Sequence, residues 1–239
     1  MTNAHEAVIG IIGAMDEEIE LLLQAAQPVE QVDVAGLRYY KGSLHGKHIV
    51  ICKSGVGKVN AAVNTQVLID RFHVSKVIFT GVAGAVHPEL NIGDIVISTS
   101  CMHHDMDVTA LGFAPGIIPF QETSQFMADT GLIELAERAC EQLVPGRYRK
   151  GVVLSGDQFV ADRDKVRQLH ETFAGSACTE MEGAAVAQAC FINEIPFVVI
   201  RSMSDKADGS AHVNFAEFTV EASHRSHQIV DSMLQGLTV

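Results

Sequence analysis

Short runs of mainly β-branched residues, apolar on both faces, recur along the chain between stretches of helical period, and this alternation constrains the fold most. The runs are Val8 to Ile12, Ile49 to Cys52, Val77 to Phe79, Ile95 to Ser98, Val152 to Ser155 and Phe197 to Arg201. A strand without a polar face is buried on both sides, as in a sheet covered by helices. The helical stretches are clearest at Glu17 to Ala26, Val59 to Arg71, Leu132 to Leu143, Met181 to Asn193 and Phe215 to Met233. Together they predict an α/β layered fold. The segment LRYYKGSLHGKHIVICK adds two strands joined at His45 and Gly46, so the sheet is expected to be mixed.

The 239 residues contain no linker, repeat or low-complexity tract, so one domain over 1–239 is expected. Hydrophobic residues make up 47% and charged residues 19%, the composition of a compact globular protein. Seventeen basic against 29 acidic side chains give a net charge of −12, which repels nucleic-acid phosphates and anionic membranes. Neither is expected as a partner, and a purine-like substrate would be a neutral or cationic nucleoside rather than a nucleotide. The five cysteines are odd in number and contain no C-x-x-C pair, so they read as buried thiols in a reducing compartment. The N-terminal segment has no signal-like basic and apolar regions, and no run approaches the length of a spanning helix; a cytoplasmic location is expected.

Several segments carry candidate chemistry. In IIGAMDEE a strand turns through Gly13 into a helix whose first turn holds Asp16, Glu17 and Glu18. The spacing is not that of a dinucleotide loop, and the acids occupy the positive helix end that a pyrophosphate would need. They either complement the helix dipole or supply a general base. In KSGVGKV, Cys52 and Val59 break the Walker pattern, leaving a tight strand-to-helix turn. TGVAGAVHPELNIGDIV, from Thr80 to Val96, reads as a glycine-rich loop after a buried strand, where the backbone either turns or approaches something closely.

His103, His104, Asp105 and Asp107 resemble a metal cluster by composition. They lack the helical i, i+4 pair or second ligand group of a zinc site, so hydrogen-bonded loop residues are expected and no metal. The apolar stretch from His103 to Phe126, with two prolines and no regular period, is expected to cross a subunit contact or close over a ligand. Thr179 and Glu182 have capping-box spacing, while Glu182 at a helix mouth also suits a vicinal diol. Ser204 and Asp205 end the strand in PFVVIRSMSD, where open α/β sheets bind ligands; Asp205 is either a turn former or a general acid.

IIGAMDEE, KSGVGKV, TGVAGA, HHDMDVTA, SGDQF, EMEGAA and RSMSDKAD, in this order and spacing, resemble the 5′-methylthioadenosine/S-adenosylhomocysteine nucleosidases of the purine nucleoside phosphorylase and nucleosidase superfamily. The resemblance covers nearly the whole chain. It implies a three-layer α/β/α fold around a mixed, partly closed sheet, and a homodimer without metal or cofactor. It implies that Glu18 activates the attacking water, Asp205 protonates the departing adenine beside Ser204, Glu182 holds the ribose hydroxyls and Arg201 supports them. Ala14, Met15, Val56, Val82, Phe159, Val160, Met181 and Phe215 would contact base and sugar, with Phe159 stacking on adenine. Val108, Leu111 and Pro119 would be lent by a neighbouring subunit to the 5′-thioalkyl pocket, with Phe113 in the same loop. Ordinary core packing is the alternative role for these apolar residues.

The chain departs from the family pattern at Val82, where serine is frequent, and at Leu111 and Phe113, where aromatics, often Phe then Tyr, are common. These positions bear on the accepted 5′ group, and 6-amino-6-deoxyfutalosine is the alternative substrate. A phosphorylase would need a cationic nest where Asp16, Glu17 and Glu18 stand, and a non-catalytic nucleoside sensor would not need the acidic set. Hydrolysis of adenine nucleosides is therefore the expected activity.

Overall fold

The computed structural model describes residues 7–34, 36–205 and 211–238, with the backbone alone at residues 28 and 211–217. Its elements run β1 (Val8–Gly13), α1 (Asp16–Ala25), β2 (Gln27–Val34), β3 (Leu37–Leu44), β4 (Lys47–Lys53), α2 (Lys58–Phe72), β5 (Val74–Ala85) and β6 (Ile95–His103). There follow β7 (Phe126–Met127), α3 (Thr130–Leu143), β8 (Tyr148–Ser155), α4 (Arg163–Thr172), β9 (Ser176–Glu180), α5 (Gly183–Ile192), β10 (Phe197–Asp205) and α6 (Ala211–Gly236). Each strand expected from periodicity lies within one of these, and each expected helix overlaps one, although α1 stops at Ala25 and α5 spans only Gly183–Ile192 of the expected Met181 to Asn193. The polar β2, the two-residue β7 and the polar α4 carry too little apolar pattern to be read from sequence.

The sheet is mixed. β1 pairs in parallel with β4 and β5, and β3 and β4 form the antiparallel hairpin turning at His45 and Gly46, both at positive φ as a two-residue turn requires. The long β5 is the hinge of the architecture. One flank continues through β1, β4, β3 and β2, and the other closes a five-stranded ring through β10, β6, β8 and β9 back to β5. β10 pairs with β5 from Val77 to Gly84, so β1 and β9 must share the opposite edge. β1 leaves that edge at Phe79 and β9 joins it only at Gly84. A gap therefore opens over Thr80 to Ala83, a point of strand divergence of the kind at which α/β sheets bind ligands.

TGVAGA is thus the second half of a twelve-residue strand rather than a loop. Its glycines lower strand propensity, and pairing with β10 overrides that preference. Helices flank the sheet. α6 packs on α1, α3, β5 and β10, while α2 packs on α5. Seven of the ten residues of α5 are buried, in keeping with its largely apolar sequence. Among the described residues no helix is long and apolar enough to cross a membrane.

Candidate active site

A cavity of about 290 Å³ opens at the strand divergence, walled by the ends of β1, β5, β9 and β10 and the first turns of α1 and α5. The carboxylates of Glu18, Glu180, Glu182 and Asp205 all line it. Segments far apart in sequence thus bring four acids to one space.

Of the three acids opening α1, Asp16 and Glu17 are exposed, and Asp16 pairs with Lys53 at 2.8 Å. Glu18 alone turns inward and is buried. Its Oε2 accepts the N–H groups of Ala14 at 2.6 Å and Met15 at 2.9 Å, and its Oε1 accepts that of Val82 at 2.9 Å. The first two belong to the residue before the N-cap of α1 and to the N-cap itself, and the third lies over the gap in β5. Burial raises the Glu18 carboxyl above its ordinary range, against the opposing pull of Arg201 and the three N–H groups.

Glu182 opens α5, and its Oε1 accepts the Gly57 N–H at 2.8 Å. The expected capping box with Thr179 does not form. The carboxylate of Glu180 instead accepts the Gly183 N–H at 2.8–2.9 Å and the Glu182 N–H at 3.3 Å, because the strand runs to Glu180 and leaves its side chain under the helix mouth. Burial, and then the charge of Glu180, push Glu182 up to about 8. Glu180 also accepts the Ser155 hydroxyl and pairs with Arg201, which is buried with its guanidinium 3.8 Å from the centre of the Phe79 ring. Burial works against the Arg201 charge, and Glu180, Glu18 and Glu182 around it override that effect.

Asp205 ends β10, buried, and its Oδ2 accepts the Ser204 hydroxyl at 2.9 Å. Ala14, Met15, Val56, Val82, Phe159, Val160, Met181 and Ser204 also line the cavity. Phe159 and Val56 are each half exposed at its mouth. The side chain of Phe215 lies outside the described residues. Val108, Leu111, Phe113 and Pro119 do not line the cavity of this chain; Leu111 is 71% and Phe120 97% exposed on the long segment after β6.

The histidine and aspartate cluster disperses among different partners. His103 Nε2 meets Gln188 Oε1 at 3.0 Å, Asp105 binds Lys58 and Asp107 accepts from Thr109. Among the described residues no group of three or more His, Cys, Asp or Glu could hold a metal ion.

Sequence reasoning missed Glu180, Ser155 and the Gly57 N–H as parts of the site. Glu180 lies two residues from Glu182 in a strand buried on both faces, so alternation gives no sign of which acid faces the cavity.

A family model described as the phosphorylase superfamily matches residues 8–235. A 5′-methylthioadenosine/S-adenosylhomocysteine nucleosidase of Tolumonas auensis is 42% identical, covering 96% of this chain and 99% of its own. The crystal structure of the Neisseria meningitidis nucleosidase of that name, in complex with methylthio-immucillin-A, superposes with a TM-score of 0.93 at 41% identity, over 96% of this chain and 99% of that one. A futalosine hydrolase of Helicobacter pylori superposes with a TM-score of 0.92 at 34% identity, over 97% and 99% of the two chains.

Proposed function

The chain belongs to the phosphorylase superfamily and, within it, to the 5′-methylthioadenosine/S-adenosylhomocysteine nucleosidases, and from that premise we propose how its acids divide the work of N-glycosidic hydrolysis. The enzyme cleaves the bond between adenine and ribose in 5′-methylthioadenosine and S-adenosylhomocysteine, and the reading extends to related adenine nucleosides such as 5′-deoxyadenosine. Glu18 orients and deprotonates the water, Asp205 protonates the departing base and Glu182 accepts the ribose hydroxyls. Cleavage of this kind builds positive charge on the sugar ring, so carboxylates gain interaction energy as the transition state forms.

The observation that carries hydrolysis over phosphorolysis is the charge of the cavity wall. Four acids line it, and among the described residues no lysine or arginine does. An incoming phosphate would find no cationic side chain on the wall to balance its charge, whereas a neutral water would meet a hydrogen-bond acceptor. The raised Glu18 sits closer to neutrality than an ordinary glutamate, as suits a general base.

Incubation of the purified protein with methylthioadenosine, following free adenine by absorbance with and without phosphate, tests this. Adenine release indifferent to phosphate, with free methylthioribose as co-product, is expected. A ribose-1-phosphate-type product would overturn it. The Helicobacter pylori neighbour makes 6-amino-6-deoxyfutalosine the second substrate to assay, and the closer identity to the nucleosidases favours methylthioadenosine.

The protein is further read as a cytoplasmic, single-domain homodimer. Val59, Val63 and Ile192 expose apolar surface on α2 and at the end of α5. The apolar segment with Val108, Leu111, Phe113 and Pro119 would reach the neighbouring subunit's 5′ pocket. Sedimentation equilibrium at micromolar protein tests this, and a monomer would overturn it.

A further inference from the structure

Two motifs stay outside the chemistry described above: the broken Walker sequence around Lys58 and the acidic cluster after His103. They are bonded to each other. Lys58 Nζ donates to both carboxylate oxygens of Asp105, at 2.7 and 2.8 Å. Asp105 Oδ2 also accepts the backbone N–H of Asp157 at 2.9 Å, and Asp157 Oδ1 accepts the backbone N–H of Lys58 at 2.9 Å. The circuit closes through three loops, those following β4, β6 and β8. Lys58 and Asp105 are largely buried, their side chains 22% and 15% exposed, so solvent screens the pair less than a surface bridge.

Each loop carries a group that faces the cavity or leads to it. Val56 precedes Lys58 by two residues and Phe159 follows Asp157 by two; these are the half-exposed hydrophobic residues at the mouth. Gly57, adjacent to Lys58, holds Glu182 through its N–H. A Cβ on Gly57, whose φ is +98°, would stand 3.2 Å from Asp157 Oδ1, so the two loops meet closely here. Gly156 likewise packs against the ring of His104, where a Cβ would lie 2.5 Å from Cε1 and Nε2. The segment beyond Asp105 leads to Val108 and Leu111.

We propose that Lys58, Asp105 and Asp157 form a three-loop clamp that sets the mouth of the nucleoside cavity, making Lys58 and Asp105 positioning residues for substrate binding. The proposal rests on the nucleosidase reading for its ligand. No hydrogen bond of the clamp side chains reaches Glu18 or Glu182 among the described residues, and the Gly57 N–H links the clamp to Glu182. It therefore acts on the fit of base and ribose more than on the chemical step. The Asp105 carboxyl is consistent with this arrangement: burial works to raise it, and the Lys58 ammonium and Asp157 N–H override that and hold it below its ordinary value.

Steady-state kinetics and amide hydrogen exchange on the intact protein and its Lys58→Met, Lys58→Arg, Asp105→Asn and Lys58→Met/Asp105→Asn variants test the clamp. Lys58→Met and Asp105→Asn are expected to raise KM for methylthioadenosine about tenfold while kcat stays within about threefold. The double variant should be no worse than either single one, because both remove the same interaction. Lys58→Arg should recover most of the affinity, since a guanidinium also binds a carboxylate with two donors. Exchange should quicken at the amides of 55–58 and 156–159, with β5 and β10 unchanged. If the wild type releases adenine and both single variants keep KM within about twofold, the clamp is overturned and the nucleosidase reading stands. If the wild type releases none, that reading falls, and unchanged exchange at those amides overturns the clamp as well.

Discussion

Gly81 faces the Glu18 carboxylate so closely that a Cβ at position 81 would stand 2.2 Å from Glu18 Oε1 and 2.7 Å from Arg201 Nη1. The centre of β5 thus lacks a side chain where the proposed base and the buried cation meet. Gly81→Ala must displace one of them, and Glu18 is fixed by three backbone donors. The variant is expected to lose about 10²-fold or more in kcat, the scale on which misplaced catalytic groups act. Kinetics alongside a circular-dichroism melt checks this; a folded variant with near-normal kcat would remove Glu18 from its role.

Glu18→Gln and Asp205→Asn preserve size and remove the carboxylate. Each is expected to lower kcat by about 10²- to 10⁴-fold while nucleoside still binds. Single-turnover rates with titration calorimetry separate the two quantities. Either variant turning over at near-wild-type rate would show that its acid does no proton transfer.

The raised carboxyls predict opposite pH trends for activity and stability. The ionised form of Glu18 is the base and that of Glu182 the hydroxyl acceptor, so kcat/KM should fall as pH drops through their raised values, which for Glu182 is about 8. An acid whose folded pKa exceeds its unfolded one binds more protons when folded. Stability from Glu182 is therefore fully present at and below its unfolded value, near 4.5, and declines as pH rises toward about 8. Thermal melts of the ligand-free protein across this range should show the decline, and Glu182→Gln should flatten it. An unchanged slope in the variant would assign the trend elsewhere.

Glu180 lines the cavity, and it pairs with Arg201, which is buried behind the wall. Removing one partner strands a charge, which typically costs about 3–5 kcal/mol. Glu180→Ala should lower unfolding free energy by about that amount in urea titrations, and a loss below about 1 kcal/mol, the scale of exposed pairs, would mean that solvent reaches Arg201. Removing Glu180 also withdraws the acceptor of the Gly183 and Glu182 N–H groups at the start of α5.

Much of the fold was legible because its signals are local. The two-sided apolar runs became β1, β4, β5, β6, β8 and β10, and the LRYYKGSLHGKHIVICK hairpin turned where its His-Gly pair indicated. The site was legible as a set of segments, since IIGAMDEE, EMEGAA and RSMSD each end a strand beside a turn or helix. Two local readings failed for one reason. The capping-box spacing of Thr179 and Glu182 and the turn reading of TGVAGA both obey local rules, but partners distant in sequence took the positions those rules assigned; the other reading of TGVAGA, a close backbone approach, holds at Gly81.

Sequence by itself determined the layered α/β class, the family and the segments that carry acids, because helical and strand periods depend on neighbours a few residues away. Tertiary structure alone decided which acid of each cluster turns inward, why Glu182 holds its proton near neutrality and that Lys58 meets Asp105. Burial and charge pairing are properties of a shared space, and here that space exists only where β1 and β9 part along β5 and chain ends from α1, α5 and β10 converge.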